Sequence, residues 1–342
     1  MLTRPAEPLT AWTTLRLGGP AATFVETVSR SELYDLVAVA DAEARPVLVL
    51  GGGSNVVVGD QGFDGTVIRV ASSGVQVGSG DASGVEVTVE AGESWEPLVV
   101  RFVSAGLIGV EALAGIPGTV GAVPVQNVGA YGQEVPDTIS SVHVYDRAER
   151  RTRTLPAAEC GFGYRTSVFK RTPERYVVGG VTFRLRRGLL GAPVTYGELA
   201  RTLGLEVGEP APAAAVSSAV LTLRRAKGMV LDEADHDTWS AGSFFTNPWV
   251  PPDLVPAGAP AFATSDGNVK IGAAWLIEQA GFSRGYGNDK VCLSTKHTLA
   301  LTNRGSASTD DLLVLAREIR DGVAASFGIE LHPEPVLVRC TL

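Results

Sequence analysis

The sequence predicts a mixed α+β protein with more than one domain, and three observations carry that reading. Strand-like and helix-like stretches follow one another without the regular alternation of βαβ units. The 342 residues are 45% hydrophobic and 19% charged, enough apolar material for two or three buried cores. The 40 glycines cluster rather than repeat, as tight turns and close backbone approaches require.

Along the chain, Leu33, Leu36, Val37 and Ala40 recur at helical spacing after the start signals Ser31 and Glu32, so residues 31–43 predict a helix. Residues 46–50 form a short apolar run that ends at Gly51, the pattern of a buried strand entering a glycine loop. Residues 66–70 and the alternating 85–89 predict strands, and 97–105 a helix. Residues 106–131 are rich in glycine and too apolar for an ordinary solvent loop. Strands are expected again at 142–145 and 176–185. The Pro- and Ala-rich stretch 208–215 then offers a domain boundary. Beyond it the pattern predicts helices at 217–226, 273–279 and 309–327, a glycine-bearing turn at 241–245 and a last strand at 336–339.

Net charge of −8 and a pI near 5.2 provide no field that would attract nucleic acid or an anionic membrane. An anionic substrate therefore needs a local basic pocket. Cys160, Cys292 and Cys340 are too scattered for a metal cluster or a disulfide framework, which points to a reducing cytoplasm. No apolar run is long enough for a signal peptide or a membrane span, and no metal site is expected.

Two glycine-rich motifs carry the chemistry. Gly51, Gly52 and Gly53, followed by Ser54 and Asn55, can turn successive backbone N–H groups toward one anion such as a pyrophosphate, or can simply make a tight turn. No helix opens after them, so this is not the Rossmann fingerprint. The second motif runs through Ile116, Pro117, Gly118, Thr119, Gly121, Gln126, Asn127, Gly129, Ala130 and Tyr131. Its glycines and prolines fix a backbone path with sparse polar groups, suited to a flat apolar ring system. A purely structural buried loop is the alternative, weakened by the many backbone groups it would leave without partners.

Thr14-Leu-Arg-Leu-Gly-Gly19, both glycine motifs and Phe162-Gly-Tyr-Arg-Thr-Ser167 together resemble the UDP-N-acetylenolpyruvoylglucosamine reductase family. Ser240-Ala-Gly-Ser-Phe-Phe-Thr-Asn-Pro248, Ala274-Trp-Leu-Ile-Glu-Gln-Ala-Gly281 and His332-Pro-Glu-Pro335 extend the resemblance, in the family's order, over nearly the whole chain. It implies a vanillyl-alcohol-oxidase-like flavoprotein fold: FAD-binding subdomains at 1–70 and 71–215 and a substrate-binding α+β domain at 216–342. It also implies non-covalent FAD, NADPH as hydride donor and reduction of an enolpyruvyl nucleotide sugar.

That reaction leaves an enolate after hydride addition, so a cation must face the substrate carboxylate and a proton must reach the α-carbon. The resemblance implies Arg165 for the first task, Ser243 as proton donor and Glu334 as a glutamate that stabilises or protonates the enol. Taken alone, these residues read as a surface ion pair, a turn or N-cap serine and an exposed glutamate, and the family match reverses the preference for Ser243. Tyr196 matches a substrate-gating tyrosine, and Lys227, joined by Asn247, matches groups near the nucleotide phosphates. The family's arginine two residues beyond the glutamate is replaced by Val336, and Arg339 lies too far along a strand to stand in for it. A flavin oxidase of the same superfamily and a non-catalytic binding module are the competing readings. None of His143, His236, His297 and His332 lies in a glycine loop, which disfavours a histidine-tethered flavin.

Overall fold

A chain that buries several separate apolar clusters must choose which segments join each. In the computed structural model, which describes residues 2–81, 84–264 and 266–342, the segments gather into two units. The first comprises Met1–Glu7, Ala21–Gly52 and Asp64–Ala226, and the second Pro8–Pro20, Gly53–Phe63 and Lys227–Leu342.

In the first unit, the helix Arg30–Ala42 starts at Ser29, whose hydroxyl accepts from the Glu32 amide, and buries Leu33, Tyr34, Val37 and Ala40. It leads into the strand Val47–Leu50, which pairs parallel with Phe63–Val70 in a four-stranded sheet. Leu2–Pro8, not anticipated from the sequence, is an edge strand there, where a proline's missing N–H costs no ladder bond.

A larger sheet orders Arg151–Pro156, Ile139–Asp146, Tyr176–Arg187, Gly84–Glu90 and Val75–Asp81, with Leu107–Ile108 paired to the end of Tyr176–Arg187. Val85, Val87 and Val89 alternate onto its buried face. The helix Trp95–Ser104 covers that face, with the Trp95 ring tilted against Phe183 at 5.9 Å and the Phe102 ring edge-on to it at 6.3 Å. It begins two residues before the expected start because Pro97 sits in the first turn, where the amide hydrogen it lacks has no intrahelical partner anyway.

Residues 208–215, expected as a boundary, form the strand Pro210–Pro212 and the start of the helix Ala213–Ala226. That helix buries Val216 and Val220 in the first unit's core, so the division into compact units falls after Ala226.

The second unit draws on both ends of the chain. Val336–Val338 pairs parallel with Val56–Val58, and Leu15, Leu17 and Val57 join Phe244, Phe245, Leu276, Leu301, Leu312 and Ile319 in one core. The helix Thr309–Phe327 has a capping box, with Ser308 accepting from the Asp311 amide. The carboxylate of Asp60 accepts from the Thr309 and Asp310 amides at 2.7 and 2.9 Å, a favourable charge for a helix N-terminus. Asp237, nearly buried, accepts from the Thr295 amide at 3.0 Å, the Thr295 hydroxyl at 2.5 Å and Arg304 at 3.1 Å. Burial pushes its carboxyl up, but the Thr295 hydrogen bonds and the Arg304 charge outweigh burial and hold it below the ordinary carboxylate range.

Asp237→Asn is expected to lower the unfolding free energy by about 2 kcal/mol at neutral pH, the usual value of a hydrogen bond to a charged group. Because the folded-state pKa is depressed, this contribution is present above the ordinary carboxylate value of 3.8 and is lost as the pH falls through the lower folded value. Urea unfolding of both proteins at neutral and acid pH measures it; equal stabilities at pH 7 would contradict the assignment.

Candidate active site

Val47–Leu50 delivers the chain into the first glycine motif, where space explains the residue type. A Cβ on Gly51 would stand 2.5 Å from the Thr119 hydroxyl oxygen, and one on Gly52 would stand 2.7 Å from the Gly118 Cα. The two glycine motifs thus touch backbone to backbone within the first unit. Gly53, at φ +62°, begins the second unit's share of the loop, and a Cβ there would meet the Trp12 carbonyl at 1.9 Å.

The second motif is better satisfied than its sequence suggests. Val120 and Gly121 donate to the carbonyls of Glu93 and Ala91 at 2.9 and 2.8 Å, and Trp95 donates to Gly118 at 3.0 Å. Three distant side chains take up further carbonyls: Arg224 Nε donates to Gly115 at 3.1 Å, the Ser167 hydroxyl to Val125 at 2.5 Å, and Arg165 to Asn127 and Gly129 at 3.3 and 2.8 Å. The expectation of many unpartnered backbone groups is therefore corrected.

A side-chain exception remains. Asn127, 2% exposed, donates to Glu134 and to the Gly163 carbonyl, while its own Oδ1 is buried without a partner among the described residues. Asn127, Tyr131 and Arg165 all hold φ near +50°, a costly conformation for residues with a Cβ.

Arg165 is half-buried, and its fork is oriented by the Asn127 and Gly129 carbonyls. Tyr196, 44% exposed, meets the Tyr131 ring edge-on at 5.3 Å. A cavity of about 420 Å³ in this unit is bordered by Tyr131, Gly132, Val194 and Leu199, with the buried carboxylate of Glu111 in its wall. Its lining includes neither Arg165 nor any of residues 51–55, so its volume does not make it the reaction site.

In the second unit the structure brings together segments that lie far apart in sequence. The Glu334 amide donates to the Phe244 carbonyl at 2.8 Å and the Thr246 amide to the His332 carbonyl at 3.0 Å, so the Ser243 turn and the Glu334 segment run side by side. Asn55 joins them: Nδ2 donates to the Glu334 carbonyl at 3.4 Å, and its own carbonyl accepts from Val336 at 3.0 Å. Ser243 and Glu334 are both half-buried.

Lys227 is half-buried where the second unit begins. Asn247 Oδ1 accepts from the Ala273 amide at 2.9 Å and so caps the helix Ala273–Gln279. Val336 is 43% exposed, and Arg339 lies over the Phe63 ring at 5.6 Å. Sequence reasoning passed over Arg224, on which burial pushes the guanidinium pKa down to about 10. Its signal was present, since Val216, Val220 and Arg224 stand four residues apart on the buried stripe of one helix.

Residues 233–338 match the family model for the C-terminal domain of UDP-N-acetylenolpyruvoylglucosamine reductase, and residues 21–154 match a model for an FAD binding domain. The chain is 56% identical to the UDP-N-acetylenolpyruvoylglucosamine reductase of Thermobifida fusca (strain YX), with 98% of each chain covered. The chain belongs to the UDP-N-acetylenolpyruvoylglucosamine reductase family. The enzyme of the same name from Cutibacterium acnes is 53% identical over 98% of this chain and 90% of its own. The crystal structure of UDP-N-acetylenolpyruvylglucosamine reductase from Thermus caldophilus covers 98% of both chains with a TM-score of 0.67 at 25% identity.

Membership brings FAD, and the residues present fit it. A shelf of backbone that no Cβ could share and a buried acceptor at Asn127 suit a flat cofactor with phosphates and a ring N–H. Gly52→Ala is expected to weaken FAD binding at least roughly tenfold, since the loop must shift to admit the methyl group. Flavin fluorescence titration of the apoprotein reads this directly, and unchanged affinity would show that the contact with Gly118 is not part of the cofactor seat.

Proposed function

We infer that this chain catalyses the NADPH-dependent reduction of UDP-N-acetylenolpyruvoylglucosamine to UDP-N-acetylmuramate, a step of peptidoglycan precursor synthesis, with FAD held non-covalently. The observation that carries the residue assignment is the backbone pairing of the Ser243 turn with the Glu334 segment, on which both groups required by the protonation step stand.

The chemistry supplied by FAD, when bound, is to accept hydride from NADPH and release it to the β-carbon of the enolpyruvyl group. Gly51, Gly52, Gly53, Ser54 and Asn55 serve its phosphates, and residues 116–131 its ring system. Arg165 meets the substrate carboxylate and stabilises the negative charge that spreads into it. Carbonyls at Asn127 and Gly129 hold the guanidinium fork in one orientation, as a planar carboxylate partner requires. Ser243 gives its proton to the α-carbon, completing the saturated ether, and recovers a proton from solvent. Glu334 stabilises or protonates the enol. Tyr196 closes on the nucleotide and Lys227 neutralises its phosphates. Asn247, whose carboxamide oxygen is used as a helix cap, contributes its NH2 donors.

Among the described residues no helix is long and apolar enough to cross a membrane. Together with the dispersed free cysteines, this supports a cytoplasmic place for the reaction.

An anaerobic two-step assay tests the assignment. NADPH should bleach wild type and Ser243→Ala at similar rates, after which the enolpyruvyl sugar should reoxidise the variant roughly a hundredfold to ten-thousandfold more slowly. A wild-type protein that bleaches yet ignores the sugar would remove the substrate assignment, and a variant reoxidised at the wild-type rate would remove Ser243 from the mechanism.

A further inference from the structure

We propose that Thr14 is a positioning residue for the protonation step, its hydroxyl holding the turn that carries Ser243. The inference rests on the reading of Ser243 as proton donor.

Thr14 is 6% exposed, and its Oγ1 donates to the Ser240 carbonyl at 2.6 Å. Its amide donates to the Gly53 carbonyl at 3.1 Å, a carbonyl that also lies 3.4 Å from Oγ1. A hydroxyl has one proton, and the shorter contact takes it. One residue therefore grips the glycine loop with its main chain and the Ser243 turn with its side chain.

Other main-chain bonds hold the turn on both sides of Ser243. The Phe244 amide donates to the Leu299 carbonyl at 2.7 Å, the Phe244 carbonyl accepts from Glu334, and the Trp239 carbonyl accepts from the Asn303 amide at 3.0 Å. Among the described residues none hydrogen-bonds the Ser243 hydroxyl, so the backbone of the turn is what sets where its Cβ stands. Serine is a weak acid, and its efficiency as a donor depends on placement. Valine at position 14 would keep the shape of threonine but leave the buried Ser240 carbonyl without its donor.

The test uses the FAD-loaded protein in the two-step assay with Thr14→Val and Thr14→Ser. Thr14→Val should bleach with NADPH like wild type, while its reoxidation by UDP-N-acetylenolpyruvoylglucosamine slows roughly tenfold to a hundredfold. The solvent isotope effect on that step should rise as proton transfer becomes limiting, and Thr14→Ser should restore the rate. In the Ser243→Ala background Thr14→Val should add nothing, because its effect passes through that hydroxyl. Hydrogen exchange of the apoprotein should quicken over residues 239–246 in Thr14→Val and not in Thr14→Ser. Multiplying losses in the double variant, or wild-type reoxidation of Thr14→Val beside a slow Ser243→Ala, overturns the Thr14 proposal alone. Wild-type reoxidation of Ser243→Ala instead removes the proton-donor reading beneath it, and the exchange data then report separately whether Thr14 holds the turn.

Discussion

Three residues of parallel pairing, Val56–Val58 against Val336–Val338, organise the second unit. Closing a loop of that length is entropically costly, and the burial of Val57, Phe244, Phe245 and Leu331 in one core offsets it. The pairing sets Asn55 beside Glu334, and the Glu334 amide in turn holds the Phe244 carbonyl. An N-terminal loop, a central turn and the C-terminal segment are thereby fixed to one another by main-chain bonds. Two side chains reinforce these main-chain bonds, the Asn55 carboxamide on the Glu334 carbonyl and the Thr14 hydroxyl on the Ser240 carbonyl.

A chain carrying a net charge of −8 that handles an anionic nucleotide sugar must concentrate positive charge locally. In the proposed reading the first unit meets this need with arginines that also solve a second problem. Its apolar glycine segment needs donors for stranded carbonyls, and two of the side chains that supply them are Arg165 and Arg224. A guanidinium lowered by burial to about 10 is still charged at neutral pH, so the segment keeps a buried cation on its Gly115 carbonyl. Structural hydrogen bonding and electrostatics are served by the same groups.

Legibility followed the range of the interaction. The helix Arg30–Ala42 and the strand Gly84–Glu90 were readable because a local period records a buried face. Leu2–Pro8 was not, since its prolines are tolerated only because it became an edge strand, which no local pattern announces. Residues 208–215 have the composition of a linker, yet Ala211 and Ala213 are buried because neighbouring strands and the first unit's core accept them. The motif residues of the candidate site could be named from their order along the chain, whereas Thr14's bond to Ser240 spans 226 positions and left no trace in either segment.

The sequence by itself determined the family, the two glycine loops, and the residue types able to meet a carboxylate and supply a proton. Tertiary structure alone decided that Pro8–Pro20 and Gly53–Phe63 fold with the C-terminal half, that Glu334 runs beside the Ser243 turn, and that Arg165 is oriented by loop carbonyls. The division has a physical cause. Backbone conformation and residue chemistry are written locally, whereas a hydrogen bond between distant segments exists only after burial has chosen which surfaces meet.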